Sequence, residues 1–140
     1  MATTNATITI NSDIGMGASV SKTMAMHKFQ SATGIEETDG LSSKVFNDTA
    51  AVEIIGNADG TAGKASKVYI RNTGSSKEHF FYVAFNNSAA ESDTTESIGK
   101  LYGGDWMLIP WAATAATTHD ICVAPSTKET MTLEWMVFVE

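Results

Sequence analysis

The sequence contains a single cysteine, Cys122, so a disulfide within the chain is excluded. It has no run of about 18 apolar residues, the length that a membrane-spanning helix needs. Residues 1–5 lack the basic and apolar regions of a secretory signal peptide. We therefore expect a protein that is made and folded in a cytoplasm, without disulfides and without a membrane span.

Positively charged residues are also scarce. Lys and Arg number 9 against 16 Asp and Glu, and Arg71 is the single arginine. The resulting net charge of −7 argues against nucleic-acid binding, because that binding needs basic side chains to displace counterions from phosphates. Charged residues make up only 18% of the chain, and 18 Thr and 13 Ser supply much of its polarity. Thr is β-branched, so this composition favours strands.

The pattern of apolar residues predicts strands almost throughout, with no amphipathic helix. A length of 140 residues and a hydrophobic fraction of 43% fit one domain, residues 1–140, with 1–6 as a flexible N-terminal arm. About nine alternating segments separated by turn signals are typical of an all-β protein, an antiparallel sandwich or a barrel. The predicted strands are 6–11, 20–28, 50–55, 66–72, 79–86, 97–102, 106–111, 119–124 and 130–139, with 42–47 as a further short candidate in the least regular part of the chain.

Three of these segments allow more specific predictions. Met131–Val139 is so apolar that an exposed edge position would invite aggregation, so we expect it to be paired on both sides or buried against a neighbouring subunit. The segment 79–86 is apolar on both faces and should lie centrally, covered on both sides. The segments 97–102 and 106–111 flank Gly103-Gly104-Asp105, which predicts a hairpin.

No group of residues has the spacing of a catalytic or metal site. The histidines, His27, His79 and His119, form no pair spaced for zinc, and a second cysteine is missing. Cys122 alternates with apolar neighbours, which favours a small buried side chain over a nucleophile. We therefore expect a protein that is not an enzyme and has no metal and no cofactor.

Aromatic residues around the Gly103-Gly104 turn are the candidate binding site. Tyr102 and Trp106 flank the turn and could anchor a protein partner or stack on a sugar. Trp106 and Trp111 are five residues apart, so in a regular strand they point to opposite faces and at least one belongs to the core. The tentative partner-binding residues are Tyr102 and Trp106.

The second half of the chain carries a likeness to a known class of protein. Its segments are 68–74 (VYIRNTG), 98–106 (IGKLYGGDW), 108–111 (LIPW), 120–126 (DICVAPS) and the terminal strand. In style and strand order they resemble small virion proteins of tailed bacteriophages, particularly capsid decoration, or cement, proteins. The resemblance implies a jelly-roll-like β-sandwich of about eight or nine strands and no enzymatic activity.

The same resemblance implies a role and a location. It predicts a homo-oligomer, with a trimer favoured, that binds the major capsid protein on the outside of the head and stabilises it. Two alternatives stay open: a structural protein of the tail, fibre or baseplate, and a carbohydrate-binding β-sandwich module that uses Tyr102 and Trp106. A hydrolase has no supporting group of residues.

Overall fold

The computed structural model describes residues 5–10, 20–25, 37–38, 40–61, 66–85, 97–112 and 119–139. The chain forms two compact units, residues 1–36 with residue 140, and residues 37–139. In the first unit, β1 (Asn5–Ile10) pairs with β2 (Val20–Ala25) in antiparallel register, with Asn5 opposite Ala25 and Ile10 opposite Val20.

The second unit is an antiparallel β-sandwich. One sheet has the strand order β5-β10-β7-β8, and the other has the order β3-β11-β6-β9, with β4 also paired to β11. The strands are β3 (Glu37–Thr38), β4 (Ser42–Phe46), β5 (Val52–Ile55), β6 (Ser66–Asn72), β7 (Phe80–Phe85), β8 (Ser97–Tyr102), β9 (Trp106–Trp111), β10 (Ile121–Pro125) and β11 (Met131–Val139).

The pairing of these strands is that of a jelly roll. β4 pairs with β11, β5 with β10, β6 with β9 and β7 with β8, as though one long hairpin with its tip between β7 and β8 were folded into two sheets. This arrangement of eight strands in two sheets defines the architecture. The predicted all-β, antiparallel, jelly-roll-like sandwich is therefore confirmed for residues 37–139.

The core lies between the two sheets and follows the alternation in the sequence. On β6, Val68 and Ile70 are fully buried, and on β7 Phe81 and Val83 are fully buried. Phe46 meets Phe81 edge to face, with 5.2 Å between ring centroids. Each large side chain of this kind stabilises the fold by about 1.5–3 kcal/mol when it leaves water.

Two predictions about individual strands are confirmed. β11 pairs with β6 on one side and with β3 and β4 on the other, so its backbone has no open edge over most of its length. β7 lies between β10 and β8. Behind it, on the face away from the main core, Ala84 forms a second buried cluster with Cys122 and Ala124. Phe80 and Tyr82 on that same face are partly exposed, so the expected cover on both sides is wrong for these two residues.

The predicted hairpin of β8 and β9 is wrong. Both strands have the predicted bounds, but β8 pairs with β7 and β9 pairs with β6, in different sheets. The turn between them carries the chain across the sandwich, with Gly104 at φ +89°. A glycine-rich turn tells where a chain reverses, but strand pairing depends on where each apolar face finds its core.

The predicted single domain over residues 1–140 stays a prediction. The sandwich accounts for residues 37–139, and β1 and β2 belong to the other unit. The predicted arm, 1–6, overlaps β1, which begins at Asn5, whereas residues 1–4 lie outside the described part of the chain. The predicted strand at 20–28 corresponds to β2 up to Ala25, and residues 26–28 lie outside the described part of the chain.

Candidate functional site

The turn between β8 and β9 positions both aromatic residues that the sequence singles out. Tyr102 is the last residue of β8 and Trp106 is the first residue of β9, with exposed fractions of 37% and 41%. Because the turn crosses from one sheet to the other, the two rings lie on the outer faces of different sheets. The single aromatic group expected from the sequence is therefore two separate surfaces.

A buried asparagine holds this turn in place. Asn72 is 1% exposed; its Nδ2 donates to the Leu101 carbonyl and its Oδ1 accepts from the Gly74 N–H, both at 3.0 Å. Its backbone N–H donates to the Asp105 carbonyl, and its carbonyl accepts from the Gly104 N–H. The side chain and backbone of one residue thus link the β6–β7 connection to the β8–β9 turn.

Gly103 lies where a side chain has no room. Its N–H donates to the Ser76 carbonyl at 2.9 Å, which brings the two backbones together. A Cβ added to Gly103 would lie 2.5 Å from both the nitrogen and the oxygen of Ser76, closer than carbon atoms approach backbone atoms. The sequence therefore needs glycine here for a close contact between two loops, in addition to the turn itself.

The first surface, here the Tyr102 cluster, consists of Phe80, Tyr82, Lys100 and Tyr102. The Phe80 ring centroid is 4.9 Å from that of Tyr82 and 5.0 Å from that of Tyr102. The Lys100 ammonium lies 4.5 Å from the Phe80 ring centroid and 5.3 Å from that of Tyr82. The cluster combines half-buried rings with a cation that they orient.

The second surface, here the Trp106 cluster, consists of Tyr69, Trp106, Leu108 and Met136. The Tyr69 and Trp106 ring centroids are 6.3 Å apart. Tyr69 lies directly opposite Leu108 on β9 and Met136 on β11, so these side chains form a row on the outer face of the sheet. The row is apolar and partly exposed, unlike most outer sheet faces, which are polar.

The other end of β9 has the opposite role. Trp111 is 4% exposed and belongs to the core, and its indole N–H donates to the His119 carbonyl at 2.7 Å. The prediction that at least one of the two tryptophans is part of the core is confirmed. Of the two tryptophans, Trp106 is the one whose side chain is exposed enough to contact a partner.

A polar cavity of about 340 Å³ opens beside Gly103. His79 and Glu129 face each other across part of it, with 3.4 Å between Nδ1 and Oε2, and both are partly exposed. Its lining residues are Asn72, Thr73, Gly74, Ser75, Ser76, His79, Gly103, Glu129, Thr130, Met131 and Thr132. Hydroxyl groups and one His–Glu pair give the cavity both hydrogen-bond donors and acceptors.

Ser76, His79 and Glu129 have the residue types of a nucleophile, a base and an orienting acid. Their geometry favours a structural role. The Ser76 hydroxyl oxygen accepts from the backbone N–H groups of Glu78 at 3.2 Å and His79 at 3.1 Å, so it caps its own turn. A hydroxyl oxygen engaged twice in this way is a poor starting point for nucleophilic attack.

Of the other residues considered for chemistry, Cys122 and His119 do not line this cavity. Cys122 is buried, at 1% exposure, as the sequence predicted, and lies opposite Ala84 on β7. His79 and His119 each precede a strand, and His27 lies outside the described residues. Within the part of the chain that the structure describes, no three His, Cys, Asp or Glu residues are grouped to hold a metal ion. No helix in that part is long and apolar enough to cross a membrane.

The sequence identified Tyr102 and Trp106 but missed their neighbours. Phe80 and Tyr82 occur in a strand that is apolar on both faces, so they were expected to be covered. Lys100 and Tyr69 alternate with core residues and carried no separate signal. The His79–Glu129 pair joins residues far apart in the chain, and only the register of the sheets brings them together.

Comparisons with known proteins give no family. No protein-family model matches the sequence, and no curated protein matches it significantly. Among solved structures, the chain is similar to the Yersinia pseudotuberculosis-derived mitogen (YPM), with 12% identical residues and a TM-score of 0.42. The match covers 74% of this chain and 86% of that one.

Proposed function

We propose that this protein is a structural component of a tailed-phage virion, a capsid decoration protein that binds the outside of the head and stabilises it. In this role it is a homo-oligomer, with the trimer that the resemblance implies, and its partner is the major capsid protein. It needs no cofactor and performs no reaction.

The observation that carries the proposal is the presence of two exposed aromatic surfaces on the two outer faces of one sandwich. A protein that reinforces a shell must touch at least two neighbours at once, so that separate weak contacts add up. The Tyr102 cluster lies on one outer face and the Trp106 cluster on the other. Partly exposed Tyr and Trp side chains are the residues that most often anchor such contacts.

The resemblance supports the same role. Its segments fall on β6, β8, β9, β10 and β11, which provide the whole Trp106 cluster and, in the Tyr102 cluster, Lys100 and Tyr102. The likeness therefore lies in the part of the chain that would make the contacts.

Cosedimentation tests the proposal directly. The purified chain is mixed with undecorated, expanded heads of the phage that encodes it, and the bound fraction and the melting temperature of the heads are measured. We expect stoichiometric binding and a higher melting temperature. Tyr102→Ala and Trp106→Ala should each weaken binding about tenfold or more. Leu41→Ala is the matched control, since Leu41 is 57% exposed and belongs to neither cluster.

Failure of the wild-type chain to sediment with the heads would refute the decoration role. Binding to purified tails but not to heads would instead favour the tail, fibre or baseplate alternative. Equal loss of head binding in Leu41→Ala and in the two cluster variants would show that the aromatic clusters are not the contact surfaces.

A carbohydrate-binding role is the second candidate, favoured by the polar cavity that opens beside Gly103, next to the exposed Tyr102. A sugar needs hydrogen-bonding groups near an aromatic face. Isothermal titration calorimetry with host polysaccharide should then show saturable binding, with the affinity lowered in Tyr102→Ala and in Glu129→Gln. An absence of binding at millimolar sugar rejects this candidate.

A further inference from the structure

Among the described strands, β9 is at the edge of its sheet and has β6 as its one partner. It pairs with β6 over six positions, from Ser66 opposite Trp111 to Arg71 opposite Trp106, and it is the last strand in its sheet. The direction of its backbone groups follows from the turn. The Asp105 carbonyl accepts from the Asn72 N–H, so the carbonyl of Asp105 is directed toward β6. Because backbone groups alternate along a strand, those of Met107 and Ile109 are also directed toward β6. The backbone groups of Trp106, Leu108 and Pro110 are directed away from the sheet.

The position of the proline agrees with this assignment. Pro110 has no N–H, and in a sheet proline is tolerated where that group would face away from the neighbouring strand. The outward side of β9 therefore presents the N–H groups of Trp106 and Leu108 and the carbonyls of all three residues. Among the described residues none of these groups has a hydrogen-bond partner.

β9 also lacks the charged residue that each of the other edge strands of the sandwich carries. The strands β3, β4, β5 and β8 have one paired side each and carry Glu37, Lys44, Glu53 and Lys100, respectively. β9 has no charged residue in its six positions, WMLIPW. Natural proteins use charges on edge strands to prevent pairing with other chains, so an uncharged edge favours such pairing.

We propose that β9 is an interface between two copies of this chain, which pair their β9 strands antiparallel about a two-fold axis at Leu108. In that register Leu108 lies opposite Leu108 of the second copy and exchanges two hydrogen bonds with it. Trp106 lies opposite Pro110, and its N–H donates to the proline carbonyl. Because Pro110 has no N–H, the Trp106 carbonyl of each copy stays without a hydrogen-bond partner.

The side chains and the charge favour a second copy as the occupant. Directly opposed residues lie on the same face, so the exposed Trp106 ring packs on the exposed Pro110 of the other copy, and the same contact repeats by symmetry. Each copy carries a net charge of −7, so the copies repel over most of their surfaces. An uncharged strand is where they can approach at the lowest electrostatic cost.

This two-fold contact is independent of the proposed function and separate from the trimer that the resemblance implies. A three-fold contact would use another surface, and the two-fold contact could then join neighbouring trimers. The test uses the purified chain alone, without heads, so its result does not depend on the decoration role.

The decisive variants place charges on the proposed axis. Leu108→Lys and Leu108→Glu each put like charges face to face, and each should weaken the two-fold association about tenfold or more. An equimolar mixture of the two variants should recover it, because Lys then faces Glu. Val45→Lys is the matched control: Val45 lies on another edge strand of the same sheet and is 60% exposed.

Sedimentation velocity over a range of concentrations reports the result, with circular dichroism to verify the fold of each variant. Association of the wild type and of Val45→Lys, its loss in both Leu108 variants and its return in the mixture support the interface. A wild-type chain that stays monomeric, or an oligomer whose mass does not change in Leu108→Lys, overturns it. If a Leu108 variant misfolds, Leu108→Pro removes the outward N–H without adding a charge and should weaken association in the same way.

Discussion

β8 and β9 follow each other in the chain, have six residues each and are both edge strands, yet their open sides differ. On β8 the Tyr102 N–H donates to the Asp105 carboxylate at 3.0 Å and the Tyr102 carbonyl accepts from the Asp105 N–H. Lys100 adds a charge, and Ile98 is an unpaired extra residue in the ladder with β7. β9 has none of these three features, and Pro110 is its one residue that disfavours pairing.

The difference shows that the open side of β9 is not a general property of this fold. The three features on β8 are the devices by which natural sheets avoid pairing with other chains. β8 has all three features, whereas β9 carries no charge and has only Pro110 to disfavour pairing. The contrast between the two strands is therefore the main support for an interface at β9.

The largest expected effect separates the two ends of β9. Trp111→Ala removes a buried ring and its hydrogen bond to the His119 carbonyl, and should lower the free energy of unfolding by about 3–5 kcal/mol. Trp106→Ala removes a ring that is 41% exposed and should cost about 1 kcal/mol or less. Urea denaturation measures both. Similar losses in the two variants would contradict the division of β9 into a folding end and a binding end.

The next effect concerns the turn that separates β8 from β9. Gly103→Ala forces a Cβ against the backbone of Ser76 and should lower the free energy of unfolding by about 3 kcal/mol. Gly99→Ala, in β8, is the matched control, since a Cβ there meets no atom within 4 Å. It should change stability by about 0.5 kcal/mol or less. Equal stability of the two variants would disprove the close contact at Gly103.

Asn72→Ala should have a smaller effect, about 2 kcal/mol, because it leaves the buried Leu101 carbonyl and the Gly74 N–H without their side-chain partner. Asn47→Ala, at an exposed position after β4, is the control and should be near neutral. Thermal unfolding with a matched denaturant series distinguishes them. A neutral Asn72→Ala would mean that the turn is held by its backbone bonds alone.

The smallest expected effect on stability comes from opening the edge of β8. Asp105→Ala removes the carboxylate that accepts from the Tyr102 N–H and should cost about 1 kcal/mol. It should also increase self-association, because β8 then offers a free N–H and carbonyl. Asp48→Ala loses a comparable bond, to the Ala50 N–H in an exposed loop, and should associate no more than the wild type does. If Asp105→Ala associates no more than Asp48→Ala, the carboxylate does not protect the edge.

Local patterns allowed much of the fold to be predicted. The bounds of β6, β8 and β9 agree with the alternation of apolar residues, and the central position of β7 follows from its two apolar faces. The wrong prediction of a hairpin between β8 and β9 could not be avoided from the local pattern. Leu101 and Met107 face the same core from different sheets, and a turn signal does not tell in which sheet each flanking strand lies.

The candidate site was less predictable. Tyr102 and Trp106 stood out as aromatics at a turn, but the partners Phe80 and Tyr69 come from other strands and depend on register. The open side of β9 depends on which residues direct their backbone groups toward β6, and one hydrogen bond from Asn72 sets this alternation. The absence of charge in WMLIPW was visible in the sequence, although its meaning depends on the strand being at an edge.

Hydrogen–deuterium exchange of individual amides, followed by NMR as a function of protein concentration, tests the comparison most directly. By alternation the N–H groups of Leu108 on β9 and Lys100 on β8 both point away from their sheets. We expect the Leu108 amide to become protected as the concentration rises, whereas exchange of the Lys100 amide stays unchanged. Exchange at Leu108 that does not depend on concentration, or equal protection at Lys100, would contradict the account.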